Sequence, residues 1–185
     1  MKKKIPAGDF TQWLTQFRKS LKTNIGMNVP CGNCRACCTS SLFIHVHEKE
    51  KETMSRIPKK YLFEAPNLPD GNFILGYNSK GHCPLFDGKK CTIYNFRPLT
   101  CRMFDCRVFA AAEVFPETKT EITKRVTQWE FTYTNKNDSK KHEQIRSQAI
   151  VLRDKNTALS ETEIALLSTK STKMKALIMN SKKPQ

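Results

Sequence analysis

The fold is decided by the stretch Cys31-Gly32-Asn33-Cys34-Arg35-Ala36-Cys37-Cys38, a CxxCxxCC cluster. Its two successive gaps of two residues let the backbone turn so that several sulfurs face one ion, at the distance of about 2.3 Å usual for zinc and sulfur. Iron-sulfur loops use the same spacing. The adjacent pair Cys37 and Cys38 is different, because neighbouring side chains diverge. One of the two is therefore expected to reach a second metal or a bridging position.

The remaining cysteines form a second, looser group, and each is a further candidate ligand: Cys83, Cys91, Cys101 and Cys106. Together the two groups supply 8 thiols, enough for two four-coordinate sites or for one polynuclear cluster with spare ligands. Four disulfides are the alternative. We favour metal over disulfides, since a chain in the reducing cytoplasm keeps its thiols reduced.

The bulk composition agrees with a small, cross-linked domain. The chain has 185 residues, of which 38% are hydrophobic, a lean fraction for a fold stabilised by apolar burial alone. It lacks an apolar signal segment after Met1 and any run long enough to cross a membrane, so we expect a cytoplasmic protein that makes no membrane contact. Its formal charge of +15 is spread along the chain, and a soluble basic surface is favoured over a nucleic-acid site.

The periodicity of apolar residues predicts both helices and strands. Asp9 is a candidate N-cap, and Ser160 with Glu163 fits a capping box. Apolar residues at helical spacing predict helices at 9–22, 48–60, 139–153 and after 160. Strand-like stretches predict strands at 41–47, 72–77 and 120–134.

These elements indicate an α+β fold, a small irregular metal-stapled domain with helices at the N- and C-termini. Three segments are expected. Residues 1–30 form an N-terminal helix and lead-in, and residues 31–116 form the cysteine-cluster metal-binding domain. Residues 117–185 form a strand and a helical C-terminal extension packed on that domain.

Further motifs in the second group carry a family resemblance: Cys83-Pro84-Leu85, Cys91-Thr92-Ile93-Tyr94 and Arg97-Pro98-Leu99-Thr100-Cys101-Arg102. With the CxxCxxCC cluster, the chain closely resembles the YkgJ-type cysteine-cluster proteins over residues 31–107. Their shared module is described as a zinc- or iron-chelating domain. The resemblance implies chelation through the seven cysteines from Cys31 to Cys101, while Cys106 matches the pattern less closely.

Other polar residues near the cysteines have two interpretations each. Arg97 and Arg102 could donate hydrogen bonds to thiolates or carbonyls, or could pair with carboxylates such as Asp105. His45 and His47 share one face of the predicted strand, and for them a solvated strand face is favoured over metal ligation. The same holds for His82.

Three functions are compatible with the sequence. The favoured one is a metal-binding protein that holds zinc or iron, with an iron-sulfur cluster as one form of the iron site. The second is an iron-dependent enzyme related to the flagellin lysine methylase, a larger relative with a similar cysteine pattern. We do not favour an enzyme, because no catalytic motif accompanies the cysteines. The third is a zinc module that binds nucleic acid or protein through Trp129, Phe131 and Tyr133, although aromatic residues at such spacing are more often part of a core.

Overall fold

The computed structural model describes residues 3–116 and 120–170, and within them the protein is α+β, as the sequence predicts. The helices are α1 (Phe10–Thr23), α2 (Lys51–Ser55), α3 (Leu99–Met103), α4 (Arg107–Ala112), α5 (Thr120–Val126), α6 (Lys136–Lys155) and α7 (Glu161–Thr169). The strands are β1 (Ile5–Asp9), β2 (Ile44–Val46), β3 (Leu62–Glu64), β4 (Phe73–Leu75) and β5 (Trp129–Thr132). Short 3-10 helices occupy Ala36–Thr39, Lys59–Tyr61 and Tyr94–Phe96.

The chain divides into two compact units, each made of segments that are not consecutive. In the described part of the chain, unit 1 contains residues 3–19, 106–116 and 126–170. Unit 2 contains residues 20–105 and 120–125. No helix in the described part of the chain combines the length and the apolar character that a membrane crossing needs.

Unit 1 is organised by a parallel pair of strands. Strand β1 pairs with β5, and the register shifts between Pro6 and Gly8. Gly8 has a φ of +92° at this bulge, a left-handed conformation that glycine adopts without steric cost. Along β5, Trp129 and Phe131 are buried and Glu130 is exposed, so two residues of the predicted aromatic face belong to a core. The third, Tyr133, follows the strand and is exposed.

Aromatic rings fill that core. Phe10 is fully buried, stacks on the His142 ring at 4.3 Å and meets the Phe131 ring edge-on at 5.3 Å. Trp13 stacks on Phe17 at 5.3 Å. Offset and edge-on ring pairs stabilise a core beyond the area that they bury, and the spacing of these residues on α1 explains why one helical face enters it.

His142 links three elements of unit 1 through hydrogen bonds. Its Nε2–H donates to the carbonyl of Ala111 at 3.0 Å, and its Nδ1 accepts from the hydroxyl of Tyr133 at 2.8 Å. Burial, helped by the nearby charge of Arg146, lowers the pKa of His142 to about 4, although the bond to Ala111 opposes the shift. The imidazole is therefore neutral at pH 7, which is the form that this pair of bonds requires.

Unit 2 contains a three-stranded antiparallel sheet in the order β2-β4-β3. Side chains from one face of this sheet join a buried cluster whose members are Ile44, Val46, Ile57, Leu75 and Leu85. Cys83 and Cys101 pack against the same cluster. The hydrophobic core of unit 2 therefore lies directly beneath part of the second cysteine group.

Most predicted elements are confirmed. Asp9 caps α1 as expected, since its carboxylate accepts a hydrogen bond from the backbone N–H of Gln12 at 2.9 Å. The capping box of Ser160 and Glu163 is present at α7. The predicted strand at 120–134 is wrong in its first half, where α5 forms, because the strand-like alternation is confined to β5. The predicted helix at 48–60 is confirmed only over α2 and the short 3-10 helix that follows it.

Candidate metal centre

The CxxCxxCC loop is folded by two successive backbone turns. The N–H of Cys34 donates to the carbonyl of Cys31 at 2.9 Å, and the N–H of Cys38 donates to the carbonyl of Arg35 at 2.8 Å. Gly32, inside the first turn, has a φ of +53°, which a residue without a Cβ adopts readily. The first gap of two residues therefore forms a tight turn, as the spacing predicts. The second turn begins at Arg35 and leads into the 3-10 helix at Ala36–Thr39.

The two cysteine groups meet through the backbone. The N–H of Cys83 donates to the carbonyl of Cys38 at 2.8 Å. Beyond Cys83 the chain doubles back, so that Phe86 and Cys91 face each other in an antiparallel bridge and Thr92 N–H bonds to the Leu85 carbonyl at 2.9 Å. Residues 38, 83 and 91 thus come from distant parts of the sequence but share one region of unit 2.

Helix α3 carries Cys101 into the same region. The carboxylate of Glu50 accepts a hydrogen bond from the N–H of Leu99 at 2.6 Å, at the first residue of this helix. The Thr100 hydroxyl donates to the carbonyl of His45 at 2.8 Å. These bonds fix the short helix against β2, and they position Cys101 over the buried cluster of unit 2.

The thiols of this region act on one another electrostatically. Burial, and then repulsion from thiolates at Cys83 and Cys91, raise the pKa of Cys38 to about 11. Burial, and then Cys83, Cys38 and Cys91, raise the pKa of Cys101 to about 12. The pKa of Cys83 is also raised, by burial and by Cys91. Without an ion, Cys38 and Cys101 are protonated at neutral pH, so an ion that binds their sulfurs must displace protons.

The donor set suits zinc or iron chemically. Four neighbouring sulfurs are the soft ligands that select zinc, iron or iron-sulfur clusters over hard cations such as Mg²⁺. All eight cysteines lie in the described part of the chain, and none forms a disulfide. Among the described residues, no three Cys, His, Asp or Glu side chains are already arranged to hold an ion. Coordination would therefore require these thiols to move closer together.

The other candidate cysteines are placed differently. Cys31, Cys34 and Cys37 lie in the CxxCxxCC loop, where Cys37 is exposed and Cys34 adds to the negative charge felt by Cys38. Cys106 belongs to unit 1. There it is buried, and its sulfur accepts a hydrogen bond from the indole N–H of Trp129 at 3.1 Å.

Hydrogen bonds and ion pairs engage both arginines and two of the histidines that the sequence analysis named. Arg97 donates to the carbonyl of Tyr94 at 2.8 Å and lies over the Tyr94 ring, while its charge lowers the pKa of Cys101. Arg102 pairs with Glu50 at 3.4 Å. On the sheet, His45 bonds to the Asn72 side chain at 2.9 Å, and His47 Nδ1 accepts from the N–H of Lys49 at 3.1 Å.

Two further arginines shape the loop and were missed by the sequence analysis. Arg35 donates to the carbonyls of Gly32 and Cys34 at 3.0 and 2.7 Å, and to the carbonyl of Lys89 at 2.6 Å. Arg125, on α5, donates to the carbonyl of Cys31 at 3.0 Å. The position of Arg35 inside CxxCRxCC was an available signal. Arg125 had none, because it lies far beyond the last cysteine.

Gly26 is a further residue on which this region depends. A Cβ at this position would lie 2.7 Å from Cβ of Arg102 and 2.9 Å from its carbonyl oxygen. The N–H of the next residue, Met27, donates to that same oxygen at 2.8 Å. The lead-in to the CxxCxxCC loop therefore packs directly on the backbone that follows Cys101.

We expect Gly26→Ala to destabilise unit 2 by at least about 1 kcal/mol, since the added methyl meets backbone that cannot rotate away. Urea denaturation followed by circular dichroism measures the change. Gly76→Ala is the matched control, because a Cβ there would lie 3.8 Å or more from its neighbours, in ordinary contact. Equal stability of the two variants would contradict the expectation.

Comparison with known proteins gives one family. The family model CxxCxxCC, described as "Putative zinc- or iron-chelating domain", matches residues 30–128, more than half of the chain. The match extends past the last cysteine and includes Arg125. No curated protein and no solved structure matches the chain significantly. The chain belongs to the CxxCxxCC family of zinc- or iron-chelating domains.

Proposed function

We propose that this protein binds zinc or iron through a thiolate centre built at the junction of the CxxCxxCC loop and the second cysteine group. Membership of the family supports metal binding in general. We assign the central ligands to four cysteines from the two groups: Cys38, Cys83, Cys91 and Cys101. The observation that carries this assignment is the backbone bond between Cys38 and Cys83, around which these four thiols are electrostatic neighbours.

The charges around the centre also favour bound metal. Four thiolates and one divalent ion carry a net charge of about −2, which needs nearby positive groups in a partly buried site. Arg35 and Arg97 are placed for this role, since the charge of Arg35 lowers the pKa of Cys38 and that of Arg97 lowers the pKa of Cys101. Both guanidiniums are held by carbonyl groups of the surrounding loops.

The three other cysteines of the CxxCxxCC loop are additional ligands beside this centre. Cys34 lies close enough to influence Cys38, and Cys31 and Cys37 share its loop. They provide ligands for a second ion or for a larger cluster, in which case the iron site takes the form of an iron-sulfur centre. Cys106 is left out, because it is buried in unit 1 against Trp129. Thiolate ligation also requires a reducing compartment, and we propose the cytoplasm.

Purification without oxygen, followed by elemental analysis and an absorption spectrum, tests the proposal. We expect at least one zinc or iron atom per chain. Iron with acid-labile sulfide and a broad visible band identifies an iron-sulfur centre, whereas a colourless protein with zinc identifies a closed thiolate site. The metal-free protein, when titrated with Co²⁺, should then develop the intense thiolate charge-transfer band of a sulfur-bound ion. A reduced protein that takes up neither zinc, iron nor cobalt would contradict the proposal.

A further inference from the structure

The outer face of the three-stranded sheet in unit 2 presents aromatic side chains to solvent. In the register of this sheet, Ile44 pairs with Leu75 and His45 pairs with Ile74, which in turn pairs with Phe63. Ile44 and Leu75 belong to the buried cluster. Because successive residues of a strand alternate between faces, Phe63 and Ile74 lie on the opposite, outer face.

Three aromatic residues gather at one end of this outer face. Phe43 is 67% exposed, Phe63 is 61% exposed and Tyr77 is 43% exposed. The rings of Phe43 and Tyr77 are 5.0 Å apart. A Cβ at Gly76 would lie 3.8 Å from the Phe63 ring and 3.9 Å from the Phe43 ring, so these rings flank a residue that has no side chain. We call Phe43, Phe63 and Tyr77 the aromatic patch.

The charges around the sheet are divided between its two ends. Lys59 and Lys60 lie just before β3, with Tyr61 between, and the ammonium group of Lys60 lies 5.0 Å from the centre of the Tyr61 ring. Lys80 lies in the turn that follows β4, so all three stand at the end that carries the aromatic patch. This turn is fastened beside Phe43, because the N–H of Ser41 donates to the carbonyl of Gly81 at 2.8 Å.

Acidic residues predominate at the opposite end of the sheet, where Lys49 is also present after β2. Glu64 pairs with Phe73 at the end of β3. Asp70 precedes Phe73 in the loop that enters β4, and the side chain of Glu48 lies against Gly71 in that loop. The end with the exposed rings is therefore the basic end.

We propose that the aromatic patch and its three lysines bind single-stranded nucleic acid, with bases stacked on the exposed rings and phosphates on the ammonium groups. Rings that present open faces beside cationic side chains are the arrangement that binds single strands without sequence preference. Stacking needs unpaired bases, so a duplex would use only the lysines. The proposed contacts use the outer face of the sheet, opposite the buried cluster on which Cys83 and Cys101 pack, and none of them is a cysteine. The proposal therefore does not depend on the metal.

Two other occupants fit the patch less well. A second copy of this chain would bring like-charged lysine groups together around a symmetric contact, in a protein that already carries a formal charge of +15. An acidic peptide would satisfy the lysines but would offer few flat groups to three exposed rings. A single strand supplies negative charge and flat rings together.

Fluorescence anisotropy with labelled oligothymidylate and oligouridylate tests the proposal on the full chain. We expect the protein to bind both at low salt, and Phe43→Ala/Phe63→Ala to weaken binding about five-fold or more. The control is Phe115→Ala, which removes an exposed ring from unit 1 and should leave binding unchanged. Because all of these rings are exposed, the substitutions should not disturb folding, and circular dichroism verifies this.

The salt dependence tests the lysines separately. Lys59→Ala/Lys60→Ala/Lys80→Ala should reduce the slope of log K against log salt by about 2, since each phosphate contact to a single strand contributes roughly 0.7. The control is Lys136→Ala/Lys140→Ala/Lys155→Ala on α6, which removes the same charge and should change the slope little.

Three results would overturn the proposal. The first is absence of oligonucleotide binding at low salt. The second is binding that polyglutamate displaces as well as an unlabelled oligonucleotide does, and that Phe43→Ala/Phe63→Ala leaves unchanged, because this identifies attraction to any polyanion. The third is a dimer in sedimentation experiments that the same double variant abolishes, with no oligonucleotide bound by the dimer or the monomer.

Discussion

Cys101→Ser should lose its metal during purification. Its remaining thiolates should bind zinc or iron about a hundred-fold or more weakly than the wild-type site does. A four-thiolate zinc site supplies on the order of 10 kcal/mol of folding free energy, so each ligand accounts for roughly 3 kcal/mol. Cys101 is fixed by the bonds that anchor α3 to β2, and a serine hydroxyl is a poor substitute for a thiolate. Elemental analysis and competition with a chelator measure the loss. Hydrogen exchange over residues 31–105 should show that the amides of unit 2 lose protection.

Two comparisons separate the loss of metal from the loss of packing. Cys101 also packs on the buried cluster, so the variant is compared with the wild type in excess chelator, where the difference in stability should shrink to the packing effect alone. Cys106→Ser is the matched control, because a serine oxygen can still accept the hydrogen bond from Trp129. Full metal content in Cys101→Ser, or equal loss in Cys106→Ser, would contradict the ligand assignment.

The stability of unit 1 should decline as the pH falls from 6.5 towards 4. In the folded state the pKa of His142 is lowered from 6.5 to about 4 by burial and by Arg146. Between these values the unfolded chain binds a proton that the folded chain does not, so protonation favours unfolding. His142 therefore contributes stability that is fully present above pH 6.5 and is lost as the pH falls through its folded pKa. The loss should be on the order of 3 kcal/mol, since each unit of difference in pKa corresponds to about 1.4 kcal/mol.

Tryptophan fluorescence makes this measurement specific to unit 1. The chain has 2 tryptophans, and both, Trp13 and Trp129, lie in that unit. Urea denaturation at several pH values, on metal-free protein in chelator, gives the free energy of unfolding. His142→Gln should flatten its dependence on pH, whereas His47→Gln, which removes an imidazole from unit 2, should not. A slope unaffected by His142→Gln would show that other groups cause the decline.

Local features of the cysteine region could be predicted from sequence because the interactions that form them are local. The first turn of the CxxCxxCC loop follows from its two-residue gap, and Asp9 and Ser160 cap helices through residues three positions along the chain. The convergence of the loop with the second cysteine group was inferred from the family resemblance and from the number of thiols. The spacing of Cys83, Cys91 and Cys101 alone did not indicate it.

The remaining features depend on tertiary contacts that leave no periodic signal. Strand β1 contains Pro6 and Gly8, residues that usually argue against a strand, and it forms because β5 offers a parallel partner. The exposed aromatic patch was also not anticipated, since Phe43, Phe63 and Tyr77 lie on three separate segments. Likewise, the sequence placed Cys106 among the candidate ligands. Its contact with Trp129 is a tertiary contact that the spacing of the cysteines does not indicate.

The pairing of β1 with β5 also sets an order for synthesis on the ribosome. The segment that contains the cysteines from Cys31 to Cys101 is complete before β5 leaves the exit tunnel, whereas β1 must wait for β5 before it can pair. Contacts between residues far apart in sequence form late because a long loop must first close. The nascent chain can therefore load its ion while its own first strand is still without a partner.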